Sequence, residues 1–163
     1  MPENLNISVI LPELVLVIFA MLVMVADMFG RDDRTEGAPT GSRALIPWLA
    51  LIGVAVAAFV CAGQLGQPAL TFQGAAISDH FALGLRFIIL IATGLGILLS
   101  VSYIPLINRQ VGEYYALLLL CAAGMAMMGS ATDLMVVFIA LEILSLALYI
   151  LCGLHRENPR SSE

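Results

Sequence analysis

The stretch from Ala131 to Arg156 constrains the fold most, because it is apolar, helix-length and carries one carboxylate in its middle. At ~1.5 Å per residue, the segment from Leu134 to Leu154 is long enough to cross the ~30 Å hydrocarbon layer of a bilayer. Its single charge, Glu142, lies roughly 12 Å along such a helix, near the bilayer midplane. A carboxylate at that depth costs about 2.5–3.5 kcal/mol on insertion scales. Glu142 therefore needs a functional or structural reason.

Glu142 has two interpretations. Ionisable groups inside a membrane usually face a bundle interior or a wet cavity and belong to an ion or proton path, and we favour this for Glu142. The alternative is a protonated Glu142 that forms a hydrogen bond to a neighbouring helix. Ser145 and Tyr149 follow three and seven residues later, so they share one face with Glu142. We predict that this polar face points into protein rather than lipid.

The composition identifies an all-α integral membrane protein. Of the 163 residues, 61% are hydrophobic and only 12% are charged, whereas a soluble domain carries about 25% charged residues. The net charge of −5 resides mostly in loops and ends, so it does not suggest a nucleic-acid partner. The sequence has no glycine-rich phosphate loop, no run of cysteine ligands and no helical histidine pair. It therefore predicts no bound cofactor or metal in this chain.

Five runs are long and apolar enough to span a membrane, at about 7–29, 45–65, 81–104, 114–130 and 134–154. A polar loop, 31–43, separates the first two, and Pro105 ends the third. Small residues recur every four positions on three of these spans: Gly53, Ala57 and Cys61; Ala92 and Gly96; Ala122, Ala126 and Ser130. This spacing predicts close helix packing within a single membrane domain. The three cysteines, all in apolar runs, are interpreted as packing residues.

Arginine, the only basic residue type in the chain apart from histidine, predicts the orientation of the spans. Three arginines lie in the 31–43 loop, one at Arg109, and two at Arg156 and Arg160, and the intervening loops have none. Loops rich in basic residues stay in the cytoplasm. We therefore predict an outside N-terminus and a cytoplasmic C-terminus. The first run lacks the pattern of a cleaved signal peptide and is interpreted as a retained span.

Three further charges lie inside the predicted spans. Arg86 is about one and a half turns into the third span, where it could extend to the interface or pair with a carboxylate. We favour the first interpretation and keep Arg86 as a candidate charge partner of Glu142. Glu13 and Asp27 lie near the two ends of the first span, where both can reach interfacial water. We assign them to topology or to a subunit contact.

Several motifs resemble one family. Glu113, Gly124-Met125, Asp133-Leu134 and the string Leu141-Glu142-x-x-Ser145-Leu146-x-Leu148-Tyr149 resemble the fourth and fifth spans of the antiporter-like subunit N of respiratory complex I, the bacterial NADH-quinone oxidoreductase. Leu11-Pro12-Glu13 and Asp79-His80-Phe81 resemble the starts of its first and third spans. The resemblance covers essentially the whole chain. It fits subunit N better than the paralogous subunits L and M.

The resemblance implies a function within a complex. Subunits of this type have about fourteen spans, including two inverted five-helix repeats, and lie in the proton-pumping membrane arm. Glu142 matches the intramembrane glutamate that pairs with a lysine on a later span and sets the charge state of a half-channel. The resemblance implies other membrane-arm subunits and the lipid bilayer as partners, in the bacterial inner membrane. It implies an NADH:quinone oxidoreductase whose NADH and quinone are bound elsewhere in the complex.

The chain departs from the family in one respect: it contains no lysine and ends at Glu163, where the family continues into a lysine-containing sixth span. We therefore expect the N-terminal third of a subunit N, from a truncated gene, a split gene or an incomplete sequence, which does not pump protons alone. One alternative is a subunit of an Mrp-type cation/proton antiporter, which shares the glutamate helix. Another is a non-transporting membrane scaffold, in which Glu142 only forms a structural hydrogen bond.

Overall fold

Helices make up nearly all of the structure. The computed structural model describes residues 6–29, 41–66, 69–71, 74–101, 103 and 111–154. A short 3-10 helix, Ile7–Ile10, leads into α1 (Leu11–Phe29), which is followed by α2 (Gly41–Gly63), α3 (His80–Ser100), α4 (Val111–Ser130) and α5 (Leu134–Gly153). Five helices are long and apolar enough to cross a membrane. The prediction of five helices of spanning length is therefore confirmed.

Several helix boundaries differ from the predicted spans, three of them by three or four residues at the ends of α2, α3 and α4. Helix α2 begins at Gly41, inside the predicted loop 31–43, and α4 begins at Val111, three residues before the predicted start. Helix α3 ends at Ser100 rather than at 104, and Pro105 lies outside the described residues. Helix ends are the least predictable part of an element, because apolar periodicity fades there.

Two short strands between α2 and α3 were not predicted. Strand β1 (Ala69–Thr71) pairs antiparallel with β2 (Ala76–Ser78), and Ala76 forms an additional bridge to Ala131 after α4. We call the end of the bundle that contains these strands the hairpin end. Two helices begin there with an aspartate cap: Asp79 Oδ1 accepts a hydrogen bond from Ala82 N–H at 2.7 Å, and Asp133 Oδ1 accepts one from Met135 N–H at 3.1 Å.

The helices alternate in direction through the bundle. At the hairpin end, Gln64 after α2 donates a hydrogen bond to the carbonyl oxygen of Ser8 before α1. At the opposite end, the Ser100 hydroxyl oxygen of α3 lies 3.4 Å from the Tyr115 hydroxyl oxygen of α4. Asp27 of α1 packs against Gly112 of α4 at the same end. The starts of α1, α3 and α5 therefore share one end with the ends of α2 and α4.

Helices α1 to α4 pack around one apolar core, and α5 packs chiefly on α4. The core includes Leu16, Val23, Ala50, Ala57, Leu90, Ile97, Leu119 and Ala122. Such side chains fill the interior of the bundle, while many other large apolar side chains lie exposed on its outer surface.

The predicted small-residue contacts are confirmed on two helices, whereas the stripe on the third contacts no other described helix. On α2, a side chain added at Gly53 would come within 2.7 Å of Phe19 Cβ on α1, so the two helices approach closely there. The stripe on α4 is also buried. On α3, Ala92 is exposed, and no atom of the described residues lies within 4 Å of a side chain added at Gly96. Spacing identifies a stripe that permits close contact, but not whether another helix fills it.

Candidate intramembrane charge sites

Glu142 lies on the side of α5 that faces away from α4. The contact face of α5 is fixed at Gly124 of α4, where an added side chain would lie 3.1 Å from the Ala140 carbonyl oxygen and 3.1 Å from the Leu144 nitrogen. Ala140 and Ala147 are buried in this contact. Glu142 points to a different side and is exposed. The carboxylate therefore lies at mid-helix on a surface that the other described elements leave uncovered.

The two residues predicted to share the face of Glu142 also extend away from α4. Ser145 is half-buried, and Tyr149 is 73% exposed. Within the described residues, Glu142 forms no ion pair. The structure therefore presents a polar stripe of these three residues along α5. The prediction that this stripe faces protein depends on elements outside the described part of the chain.

Arg86 is buried between the elements of the hairpin end rather than exposed to interfacial water. Its side chain is only 1% exposed, and its Nη2 lies 2.7 Å from Glu13 Oε1 on α1. Arg86 Nε also donates a hydrogen bond to Glu13 Oε1 at 2.8 Å. The interpretation of Arg86 as an interfacial residue is therefore wrong, and its carboxylate partner is Glu13. A guanidinium removed from water needs such a partner, because an unpaired buried charge is strongly destabilising.

The other donors of Arg86 are also satisfied. Its Nη2 donates to the Val9 carbonyl oxygen at 2.9 Å, and its Nη1 donates to Gln64 Oε1 at 3.3 Å. Ser78 Oγ donates to the same Gln64 oxygen at 3.0 Å. We call the side chains of Glu13, Gln64, Ser78 and Arg86 the polar clasp. The clasp connects α1, α3, β2 and the residue that follows α2.

The sequence contains a signal for the ion pair that hydropathy alone does not reveal. Glu13 is six residues after Ile7, and Arg86 is six residues after His80. Both elements begin at the hairpin end, so the two opposite charges lie at similar depth. Glu13 was assigned to interfacial water, whereas it is only 6% exposed. Equal depth of opposite charges on helices that run in the same direction is the observation that predicts such a pair.

Within the described residues, Asp27 and the cysteines do not assemble into a second site. Asp27 is buried, and its Oδ1 has no hydrogen-bond partner among the described residues. The cysteines are all free: Cys61 and Cys121 are buried, as expected of packing residues, and Cys152 is exposed. In the described ranges, no group of three histidine, cysteine or acidic side chains could hold a metal ion.

Comparison with known proteins shows which family this chain is related to. No family model matches the chain. The NADH-quinone oxidoreductase subunit N of Trichlorobacter lovleyi is 33% identical over 99% of this chain, and subunit N 2 of Koribacter versatilis is 36% identical over 94%. The chain is a homologue of subunit N. The NAD(P)H-quinone oxidoreductase subunit 2 of Synechocystis is also similar, at 32% identity over 98% of the chain.

The homology to subunit N confirms the predicted family relationship and covers nearly the whole chain. The chain spans 31% of the length of the Trichlorobacter and Koribacter proteins and 29% of the Synechocystis protein. About two thirds of each relative therefore lies outside the match. The five apolar helices, together with this homology, identify a multi-pass membrane protein.

Proposed function

We propose that this chain is part of a membrane-arm subunit of an NADH-quinone oxidoreductase, and that it takes part in proton translocation driven by electron transfer from NADH to quinone. The observation that carries the proposal is Glu142, a carboxylate in the middle of a spanning helix, in a chain homologous to subunit N. A charge at that depth is usually part of an ion or proton path. NADH and quinone would bind to other subunits, and the partners would be the neighbouring membrane-arm subunits.

We assign Glu142 to the proton path, with Ser145 and Tyr149 as supporting polar groups. The exposed stripe on α5 would be covered by helices that correspond to the unmatched two thirds of the relatives. Those helices would supply a basic partner for Glu142, because Arg86 already pairs with Glu13. A carboxylate opposite a basic group in a protein-lined, partly hydrated space can gain and lose a proton as the neighbouring charge changes.

The names of the relatives favour this proposal over an Mrp-type antiporter, because they are subunits of quinone oxidoreductases. The deciding experiment uses inverted membrane vesicles from cells with and without the gene for this chain. We expect NADH-driven vesicle acidification to fall when the gene is deleted and to return on complementation. Sodium-dependent proton exchange that persists without NADH, together with unchanged NADH-driven acidification, would support the antiporter instead.

We further propose that the hairpin end faces the outside of the bacterial inner membrane, because the arginine-rich loops join the helices at the opposite end. This predicts a labelling difference between Leu70→Cys and Tyr103→Cys, two exposed positions at opposite ends of the bundle. In a background without native cysteines, a membrane-impermeant maleimide should label Leu70→Cys in intact spheroplasts. Tyr103→Cys should react only in inverted vesicles, and the reverse pattern would refute the orientation.

A further inference from the structure

Helix α5, which carries Glu142, is held at its start by the hairpin as well as along its length by α4. Thr132 N–H donates a hydrogen bond to the Ala75 carbonyl oxygen at 3.0 Å, and Thr132 Oγ1 donates to the Gly74 carbonyl oxygen. Ala131 forms a bridge to Ala76 of β2. Asp133 then caps α5 directly after these contacts. The hairpin therefore fixes the point at which α5 begins.

The hairpin is in turn held by the polar clasp. Ser78, the last residue of β2, donates to Gln64 Oε1, which also accepts a hydrogen bond from Arg86. Arg86 is itself held by Glu13. Strand β2 has three residues, with the bridge to Ala131 at one end and the contact with Gln64 at the other. The clasp and the start of α5 are thus bonded to opposite ends of one short strand.

We propose that the polar clasp positions Glu142 through β2. Arg86, held by Glu13, donates a hydrogen bond to Gln64, and Gln64 accepts another from Ser78 of β2. Strand β2 in turn bridges to Ala131 at the start of α5. Glu142 is nine residues after Asp133, about 13 Å along the helix, and a helix transmits an axial shift of its start to every residue along it. Networks of hydrogen bonds and rigid elements of this kind carry coupling between distant groups. This inference depends on the proposed role of Glu142 in proton translocation.

The test is a double-mutant cycle on the complex isolated from its native membrane. Ser78→Ala removes the contact between β2 and Gln64, and Thr132→Val removes the hydroxyl contact with Gly74. Both leave the buried ion pair intact, so assembly should be preserved. Each variant is made with Glu142 and with Glu142→Asp, and NADH-driven proton pumping is measured per assembled complex. With Glu142 present, we expect Ser78→Ala and Thr132→Val each to reduce pumping by about twofold or more. This is the low end of the effects that mutations along a coupling network have on coupling between distant sites.

In the Glu142→Asp background, the fold-loss of pumping caused by each substitution should be smaller than with Glu142 present, by a factor of about two or more. The reason is that the shorter side chain has already displaced the carboxylate. Ser130→Ala is the matched control, since the Ser130 side chain is buried at the hairpin end and, within the described ranges, bonds only to carbonyl oxygens of its own helix. It should leave pumping unchanged. Equal losses in both backgrounds, or no loss from either variant, would overturn the positioning role. Normal pumping by Glu142→Gln would instead refute the proposed function of Glu142, so the two failures are distinguishable.

Discussion

Replacing either member of the buried ion pair alone should destabilise the protein more than replacing both. Glu13→Gln leaves the Arg86 guanidinium without its counter-charge in a site that is almost completely buried. Arg86→Gln leaves a buried carboxylate in the same way. Breaking a buried pair on one side costs about 3–5 kcal/mol, whereas neutral replacement of both partners is often tolerated. We therefore expect the double variant Glu13→Gln/Arg86→Gln to unfold at a higher temperature than either single variant.

The measurement is thermal unfolding of the purified protein in detergent. Unfolding is monitored as the decrease in the fraction of protein that remains monodisperse after heating. A loss of this size corresponds to a fall in Tm of roughly 6–20 °C for a protein of 150–250 residues. Thr93→Val is the control, since Thr93 is buried on α3 and its hydroxyl bonds, among the residues that the structure describes, only to the Ile89 carbonyl oxygen of its own helix. It should cost only about 0.5–1.5 kcal/mol. Additive losses in the double variant would show that Glu13 and Arg86 do not act as a pair.

The five helices could be predicted from the sequence because each is a continuous apolar run of spanning length. The hairpin could not. Its strands have three residues each, too few for an alternating pattern to stand out, and β2 is held partly by a bridge to Ala131, far away in the sequence. Hydropathy detects long elements that lipid alone can stabilise, but not short strands that depend on tertiary hydrogen bonds.

The polar clasp shows the same contrast between what the sequence predicts and what depends on tertiary contacts, here for single residues. The sequence places Arg86 inside a span, where it can extend to the interface or pair with a carboxylate. The distance of Arg86 from the end of its helix permits either, and the structure shows the pair rather than the favoured interfacial position. The choice depends on whether a carboxylate lies at the same depth on a helix within reach. Glu13 meets that condition, and its burial follows from packing that no single-span pattern contains.

Glu142 presents the opposite situation, since one helix alone is enough to make it a candidate site. A lone carboxylate at mid-span is costly in any arrangement, so the residue stands out before a fold is known. The structure adds which way it points. It faces away from α4, on the uncovered side of α5, and this direction favours a partner outside the described elements over a hydrogen bond within the bundle.

Glu142→Gln should therefore abolish most proton pumping by the assembled complex while leaving its assembly intact. Gln has nearly the same shape as Glu and can form hydrogen bonds, but it cannot gain or lose a proton under these conditions. A positioned proton-transferring side chain contributes about 10²–10⁴-fold to a single step. We expect a loss of about tenfold, below that range, because several groups share a multi-site proton path. NADH-driven acidification of inverted vesicles, normalised to the amount of complex, measures the effect.

Two companion variants separate proton transfer from packing. Glu142→Asp keeps an ionisable carboxyl group and should retain more pumping than Glu142→Gln, although the Gln variant preserves the side-chain length better. Tyr149→Phe removes a hydroxyl from the same stripe and should have a smaller effect, because Tyr149 is assigned only a supporting role. A structural hydrogen bond would produce the reverse order, with Gln tolerated and Asp impaired. That order would assign Glu142 to helix packing and remove it from the proton path.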